Sequence, residues 1–299
     1  MRVAVTGGTG LIGRVLVAAL AARGDTPVVL SRKPDRVADA EAHRWSDPKA
    51  EPAPPAALAG CDAVVNLLGE PIAQRWTDAA KREIRASREL GTRNLIEGLR
   101  EASPRPRVLV SQSGSGYYGP RGDEPVDEAE PPGDDFGATV TIAWEREADA
   151  AAELGVRVVK TRTGVVLSPE GGALAKMLPP FKLGVGGPVA GGRQYVPWIH
   201  ADDVAGALIA CIDDERLSGP VNLTAPNPAT NAELSRALGR ALHRPAVLPV
   251  PALALRLLYG EMATIVTTGV RAVPAVLEAH GYRFREPDLD PAMERAVRG

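Results

Sequence analysis

The chain has 299 residues, of which 44% are hydrophobic and 24% charged, ordinary proportions for a soluble globule. A net charge of −2 argues against nucleic acid or acidic membranes as the main partner, and no apolar run reaches the roughly 18 residues of a membrane span. Two cysteines in no metal or disulfide pattern, and an N-terminus without an apolar leader, point to a reducing cytoplasm.

Residues 2–6 are apolar and β-branched and predict a buried strand. Gly7-Gly8-Thr9-Gly10 interrupts it, and apolar residues at 11, 12, 15, 16, 19 and 20 form a helical stripe that Gly24 ends. A second strand spans 27–30, and strand-like runs recur at 63–68, 108–111 and 156–161. Helices are expected near 77–101 and 136–154, a surface connector at 46–57, and an exposed acidic loop at 119–135. This alternation predicts an α/β protein, a Rossmann-type doubly wound parallel sheet over residues 1–164. Beyond it, residues 165–299 read as a smaller, mostly helical substrate lobe, with helical stripes at 231–242, 252–259 and about 264–280. Residues 199–224 are expected to return to the main sheet.

Gly7, Gly10 and Gly13 stand as G-x-x-G-x-x-G between a strand and a helix. Glycine permits the sharp turn, and the helix start offers unpaired N–H groups and a positive dipole end to a diphosphate. Residues 6–13, with Thr6, Gly7, Gly10, Leu11, Ile12 and Gly13, are therefore the candidate cofactor cradle. An acid at the end of the second strand would hold the ribose hydroxyls of NAD. This chain has Ser31, Arg32 and Lys33 there, two cations and a hydroxyl that suit the 2′-phosphate of NADP.

TGGTGLIG at 6–13, NLLGE at 66–70, VSQSGSGYYG at 110–119, RTGVVL at 162–167 and RQYVPWIHADDVAGAL at 193–208 resemble the extended, epimerase/dehydratase-like branch of the short-chain dehydrogenase/reductase superfamily. GGALAKMLPPFKLGVGGP at 171–188 and LPVPALALRLLYGEMA at 248–263 are similar to one atypical subgroup of NADP-binding proteins labelled only as epimerase family. The resemblance implies that Gly69 ends a strand beside the cofactor, with Leu68 also at the cofactor. It implies that Ser113 occupies the place of the catalytic serine, with Ser111 and Ser115 as competitors. It also implies a small-molecule substrate lined by Arg193 and Gln194, and a possible homodimer through the helices near 77–101 and 136–154.

The superfamily's tyrosine four residues before a lysine is absent. Val29, Trp45, Thr77, Val156, Gly172 and Leu178 precede the six lysines at that spacing. Anchoring on Trp144-Glu145 puts Gly137 and Thr141 at the two positions. Tyr117, Tyr118, Tyr195 and His200 are the remaining candidates for moving a proton, and His200 also for touching substrate. His200-Ala-Asp202-Asp203 reads first as architecture, with Asp203 capping a helix and His200 bonding a neighbouring loop. Arg162 ends a strand near the expected nicotinamide side. Scattered histidines give no metal site. The expected function is NADP(H)-dependent hydride transfer to a small carbonyl or conjugated substrate. The alternatives are a non-catalytic NADPH sensor and a nucleotide-sugar epimerase or dehydratase.

Overall fold

A computed structural model of the chain describes residues 1–38 and 40–298. The first half alternates β1 (Arg2–Thr6), α1 (Leu11–Ala22), β2 (Thr26–Ser31), β3 (Glu41–Arg44), α2 (Pro55–Leu58), β4 (Ala63–Asn66), α3 (Asp78–Glu101), β5 (Val108–Gly114), β6 (Pro125–Val126), α4 (Phe136–Asp149) and β7 (Arg157–Thr163). The second half runs through β8 (Val165–Leu167), α5 (Gly172–Lys182), β9 (Tyr195–Val196), β10 (Trp198–His200), α6 (Ala201–Asp213), β11 (Gly219–Leu223), β12 (Ala229–Thr230), α7 (Asn231–Ala241), α8 (Ala252–Tyr259), α9 (Ala263–Thr267), β13 (Arg271–Ala272), α10 (Ala275–Ala279) and α11 (Leu289–Arg298).

Seven strands form one parallel sheet in the order β11-β7-β5-β4-β1-β2-β3. Successive side chains point to opposite faces, and both faces are buried. Val3, Val5 and Val65 meet Leu16 and Leu20 of α1 and Val204 and Leu208 of α6. Ala4, Val64 and Leu109 meet Leu95 and Leu99 of α3 and Ala148 of α4 on the other side. Two covered faces explain why the strands read as unbroken apolar runs. The strand order reverses between β1 and β4, and in such sheets ligands enter at the carboxyl ends of the strands flanking the reversal.

A separate core holds the lobe together: Leu174 and Phe181 of α5, Trp198 of β10, Leu238 of α7 and Met293 of α11. Strand β11 leaves the lobe and pairs with β7, from Gly219 beside Val159 to Leu223 beside Thr163.

Two expectations are corrected. The acidic segment 119–135 is a strap whose middle is buried, not an exposed loop. Within it β6 pairs with β13, Val126 and Glu128 are buried, and the Glu128 carboxylate accepts the backbone N–H groups of Asn222 and Val276 at 2.9 and 3.3 Å. Burial pushes the Glu128 carboxyl above its ordinary pKa. The stripe at 264–280 is two short helices, α9 and α10, with β13 between them. A Cβ on Gly269 would stand 2.0 Å from the Tyr195 carbonyl oxygen, so the chain runs close against β9 there and pairs with β6 in place of coiling on.

The connector at 46–57 packs tightly under α3. The Ala53 amide donates to Asn94 O at 2.9 Å, and a Cβ on Gly98 would stand 2.3 Å from the Ala53 oxygen. Backbone cannot yield there as a side chain would. Gly98→Ala is expected to lower stability by about 1–3 kcal/mol in urea unfolding, the range for overpacked interiors. Wild-type stability in that variant would show that the close approach carries no constraint.

Candidate functional site

The cradle lies where the strand order reverses. Gly7 has a φ of 66°, and a Cβ on it would stand 2.6 Å from the Leu67 oxygen at the end of β4. A Cβ on Gly13 would stand 2.3 Å from the Gly7 oxygen. Only glycine fits at either place. Gly10 opens α1 with no side-chain cap and no acidic residue in the first turn. The N–H groups of Leu11, Ile12 and Gly13 therefore have no acceptor among the described residues. This is a form that fits a diphosphate. Thr6 belongs to the scaffold of the cradle: its buried hydroxyl donates to Asn66 Oδ1 at 2.8 Å and accepts the Leu67 amide. Leu68 packs on the core cluster beneath the loop, and Gly69 is exposed at the edge.

At the end of β2, Ser31 Oγ accepts the Lys33 amide at 3.1 Å. Arg32 and Lys33 are exposed, and neither forms an ion pair among the described residues. Asp35 is 3.6 Å from Arg44 and does not neutralise them. Two free cations beside one hydroxyl are what a 2′-phosphate requires.

A buried polar network fills the other side of the edge. Arg162 of β7 grips Glu145 of α4 through two bonds, Nε to Oε1 at 2.9 Å and Nη2 to Oε2 at 3.0 Å. Their side chains are only 4% and 7% exposed. Burial works against the Arg162 charge, and Glu145 more than offsets it, so its pKa lies above the ordinary value. Ser113 donates its hydroxyl to Glu145 Oε1 at 2.7 Å. The hydrogen expected to polarise a substrate carbonyl is thus spent inside the protein. Arg162 Nη1 donates to the Tyr118 hydroxyl at 3.1 Å, which donates in turn to Asn222 Oδ1 at 2.7 Å.

The two adjacent tyrosines part company here. Tyr118 is fully buried, its hydroxyl is engaged, and burial pushes its pKa up to about 12. Tyr117 is half-buried, with its ring face 3.4 Å from the Arg162 guanidinium carbon. Its hydroxyl has no partner among the described residues. Gly137 and Thr141 carry no replacement acid, and Thr141 Oγ1 donates to the Gly137 carbonyl at 3.0 Å.

Geometry corrects one further expectation, the helix cap, and shows what two other candidates hold. His200 is the N-cap of α6: its Nδ1 accepts the Asp202 amide at 3.2 Å, and the residue is buried. Asp203 is not the cap; its carboxylate holds the amides of Arg285 and Glu286 at 2.8 and 3.0 Å. Gln194 spends its amide donors on the carbonyls of Val189 and Val266. Arg193 remains exposed. The sequence reading missed Glu145 as a site residue. It puts a charge on the buried stripe of its helix, beside Thr141, Trp144 and Ala148 in α4. That break in amphipathic pattern was the available signal.

Residues 3–223 match the model of the NAD dependent epimerase/dehydratase family, and residues 250–296 match a domain of unknown function, DUF1731. The chain is 42% identical over 297 residues to "Epimerase family protein Mb2239" of Mycobacterium bovis, covering 99% of this chain and 97% of that one. It resembles the crystal structure of human epimerase family protein SDR39U1 (isoform2) with NADPH, at a TM-score of 0.90 and 37% identity, with full coverage of both (100% and 100%). It also resembles the nucleoside-diphosphate sugar epimerase of Corynebacterium glutamicum, at a TM-score of 0.79 and 34% identity over 99% of this chain and 58% of that one. The chain belongs to the NAD dependent epimerase/dehydratase family.

Removing Glu145 strands a buried cation. Glu145→Ala is expected to cost about 3–5 kcal/mol in chemical unfolding, and pairing Glu145→Leu with Arg162→Met to recover most of it. A second prediction concerns pH. Burial lowers the His200 pKa from its ordinary 6.5, so the fold favours the neutral ring that caps α6. Its stabilisation is complete above pH 6.5 and is lost as pH falls below that value. His200→Asn keeps a cap without the titration and should flatten that part of the stability–pH curve.

Proposed function

We propose that the protein is an NADP(H)-binding oxidoreductase that reduces a small carbonyl or conjugated substrate. The observation that carries this reading is the pairing of a bare phosphate cradle with the free cations Arg32 and Lys33. Residues Gly7–Gly13 would hold the diphosphate, and Ser31, Arg32 and Lys33 the 2′-phosphate. The family relation to a protein solved with NADPH supports the same choice of cofactor. When bound, NADPH supplies a hydride to the substrate carbon, and the substrate oxygen takes a proton.

Tyr117 is the proton donor in this reading. It is the half-buried phenol of the pair, and Arg162 fixes its ring. Ser113 and Glu145 position Arg162 and do not touch the reacting atoms. One observation favours a second reading, a sensor that binds NADPH without turnover: the groups next to the expected reaction centre are engaged with one another. Epimerisation of a nucleotide sugar ranks below both, because no tyrosine and lysine stand at the required spacing.

Calorimetric titration should give tighter binding of NADPH than of NADH. Replacing Arg32 and Lys33 with alanine should weaken NADPH by about 10- to 100-fold and leave NADH unchanged. Tighter binding of NADH by the wild type would sink the cofactor assignment. Against a panel of small aldehydes, ketones and enones, Tyr117→Phe should cut kcat by about 100-fold or more with NADPH affinity kept. Tight NADPH binding with no turnover across the panel would favour the sensor.

A further inference from the structure

A helix that is apolar all round belongs in a protein interior. Helix α8 departs from that rule. Seven of its eight residues are apolar, only Arg256 is charged, and none of the eight is buried. Two holds fix its C-terminal end. Arg75 Nη1 donates to the Leu257 and Leu258 carbonyls at 2.7 and 3.1 Å, and Tyr259 packs on the cluster of Trp76, Ile84 and Met262. The side chains of Leu253, Leu257 and Leu258 gain nothing from either hold and are 68%, 70% and 66% exposed.

The apolar surface continues beyond the helix. Residues 244–250, which lead into α8, run beside the segment that leaves α5. Arg244 Nε donates to Lys182 O at 3.1 Å, the Leu248 amide to Gly186 O at 3.3 Å and the Val250 amide to Pro188 O at 2.9 Å. Leu183 and Val247, one on each segment, are 79% and 73% exposed, and Val185 and Leu248 are exposed beside them. Monomeric proteins rarely leave large aliphatic side chains in such a group, and where they do the group marks a contact surface.

The charge of the same segments is one-sided. Between residues 171 and 200 and between residues 234 and 260 the chain carries seven Lys or Arg and no Asp or Glu. The net −2 of the whole chain conceals this. Acids that reach these segments from elsewhere are already matched: Asp290 with Arg240, Glu294 with Arg298 and Glu261 with Lys81. Lys182, Arg236, Arg244 and Arg256 form no ion pair among the described residues. Arg236 and Arg244 share a groove with Arg240, His243 and Val247. Exposed leucines among free cations make up the kind of surface that lies on an anionic bilayer.

We propose that α8, with Leu183 and Val247 beside it, is a docking face for an anionic lipid surface. The leucines enter the headgroup boundary, and Lys182, Arg244 and Arg256 meet lipid phosphates. Eight residues fall well short of the roughly 20 that a span requires, so the contact is peripheral. Two other occupants fit less well. A second copy would set this face against itself under two-fold symmetry, cation against cation. Protein interfaces are anchored by aromatic side chains, and no Trp, Tyr or Phe is among the exposed large hydrophobic residues.

The test is co-sedimentation of the full chain with vesicles of phosphatidylcholine alone and of phosphatidylcholine and phosphatidylglycerol in equal parts. Wild type should bind the mixed vesicles at least about 10-fold more tightly than the neutral ones, and salt near about 1 M should remove most of that difference. Leu253→Gln together with Leu257→Gln should weaken binding to the mixed vesicles by about 10- to 100-fold. Lys182→Gln, Arg244→Gln and Arg256→Gln together should weaken it by about 100-fold, at roughly fivefold per cation. Ile142→Gln, which removes an exposed apolar side chain from α4, should leave binding unchanged. Leu257→Trp should shift its emission to the blue on the mixed vesicles, the mark of an indole leaving water. Every changed side chain is exposed, so thermal midpoints should stay at the wild-type value and separate lost docking from lost fold.

Failure of wild type to bind the mixed vesicles overturns the proposal and leaves the face to an acidic protein. Full binding by the leucine variant, with loss only in the charge variant, also overturns it, because that describes adsorption without insertion. So does a wild-type dimer in sedimentation velocity that the leucine variant dissolves, which assigns the face to a second copy.

Discussion

A guanidinium shut away from water has to be neutralised where it stands. Arg162 imposes that requirement on most of the carboxyl edge. Glu145 answers its charge from α4, Tyr118 and the Glu128 carbonyl answer Nη1, and the Tyr117 ring covers its face. Ser113 binds the same carboxylate from β5. One side chain thereby joins β5, β7, α4 and the acidic strap. Through Asn222 it reaches β11 as well. Truncating either partner of the ion pair leaves the other exposed to the full desolvation cost, so the edge holds together as a unit.

The two sides of the cleft follow opposite electrostatic habits. Around the cradle, donors and cations stand open: the first amides of α1, Arg32 and Lys33. Across from it, donors and acceptors are matched within the protein. The first side is prepared for a negatively charged guest. The second is prepared to keep its own shape while one phenol stands at its margin.

The cradle was legible in the sequence because it is contiguous: strand, glycines and helix follow one another within 6–13, and the close approaches are made by the glycines themselves. The missing tyrosine and lysine were legible for the same reason. The network was not. Glu145 and Arg162 sit 17 residues apart on different elements, and Glu128 finds its amides 94 and 148 residues away. Local composition made the strap look solvated, since acids dominate it and the pairing of β6 with β13 is invisible without the fold. Tyr117 and Tyr118 are neighbours in the chain, and only the packing around Arg162 separates an engaged phenol from a half-exposed one.

The place of β11 in the sheet has a consequence for biosynthesis. Its partner β7 ends at Thr163, and β11 begins only at Gly219, after the chain has passed through α5, β10 and α6. On the ribosome the sheet therefore waits with an unpaired edge while that insertion is made. An open edge of apolar strand is a template for pairing with other chains. Fragments that stop short of residue 219 keep that edge indefinitely, and any truncation aimed at isolating the nucleotide-binding half has to carry β11 with it.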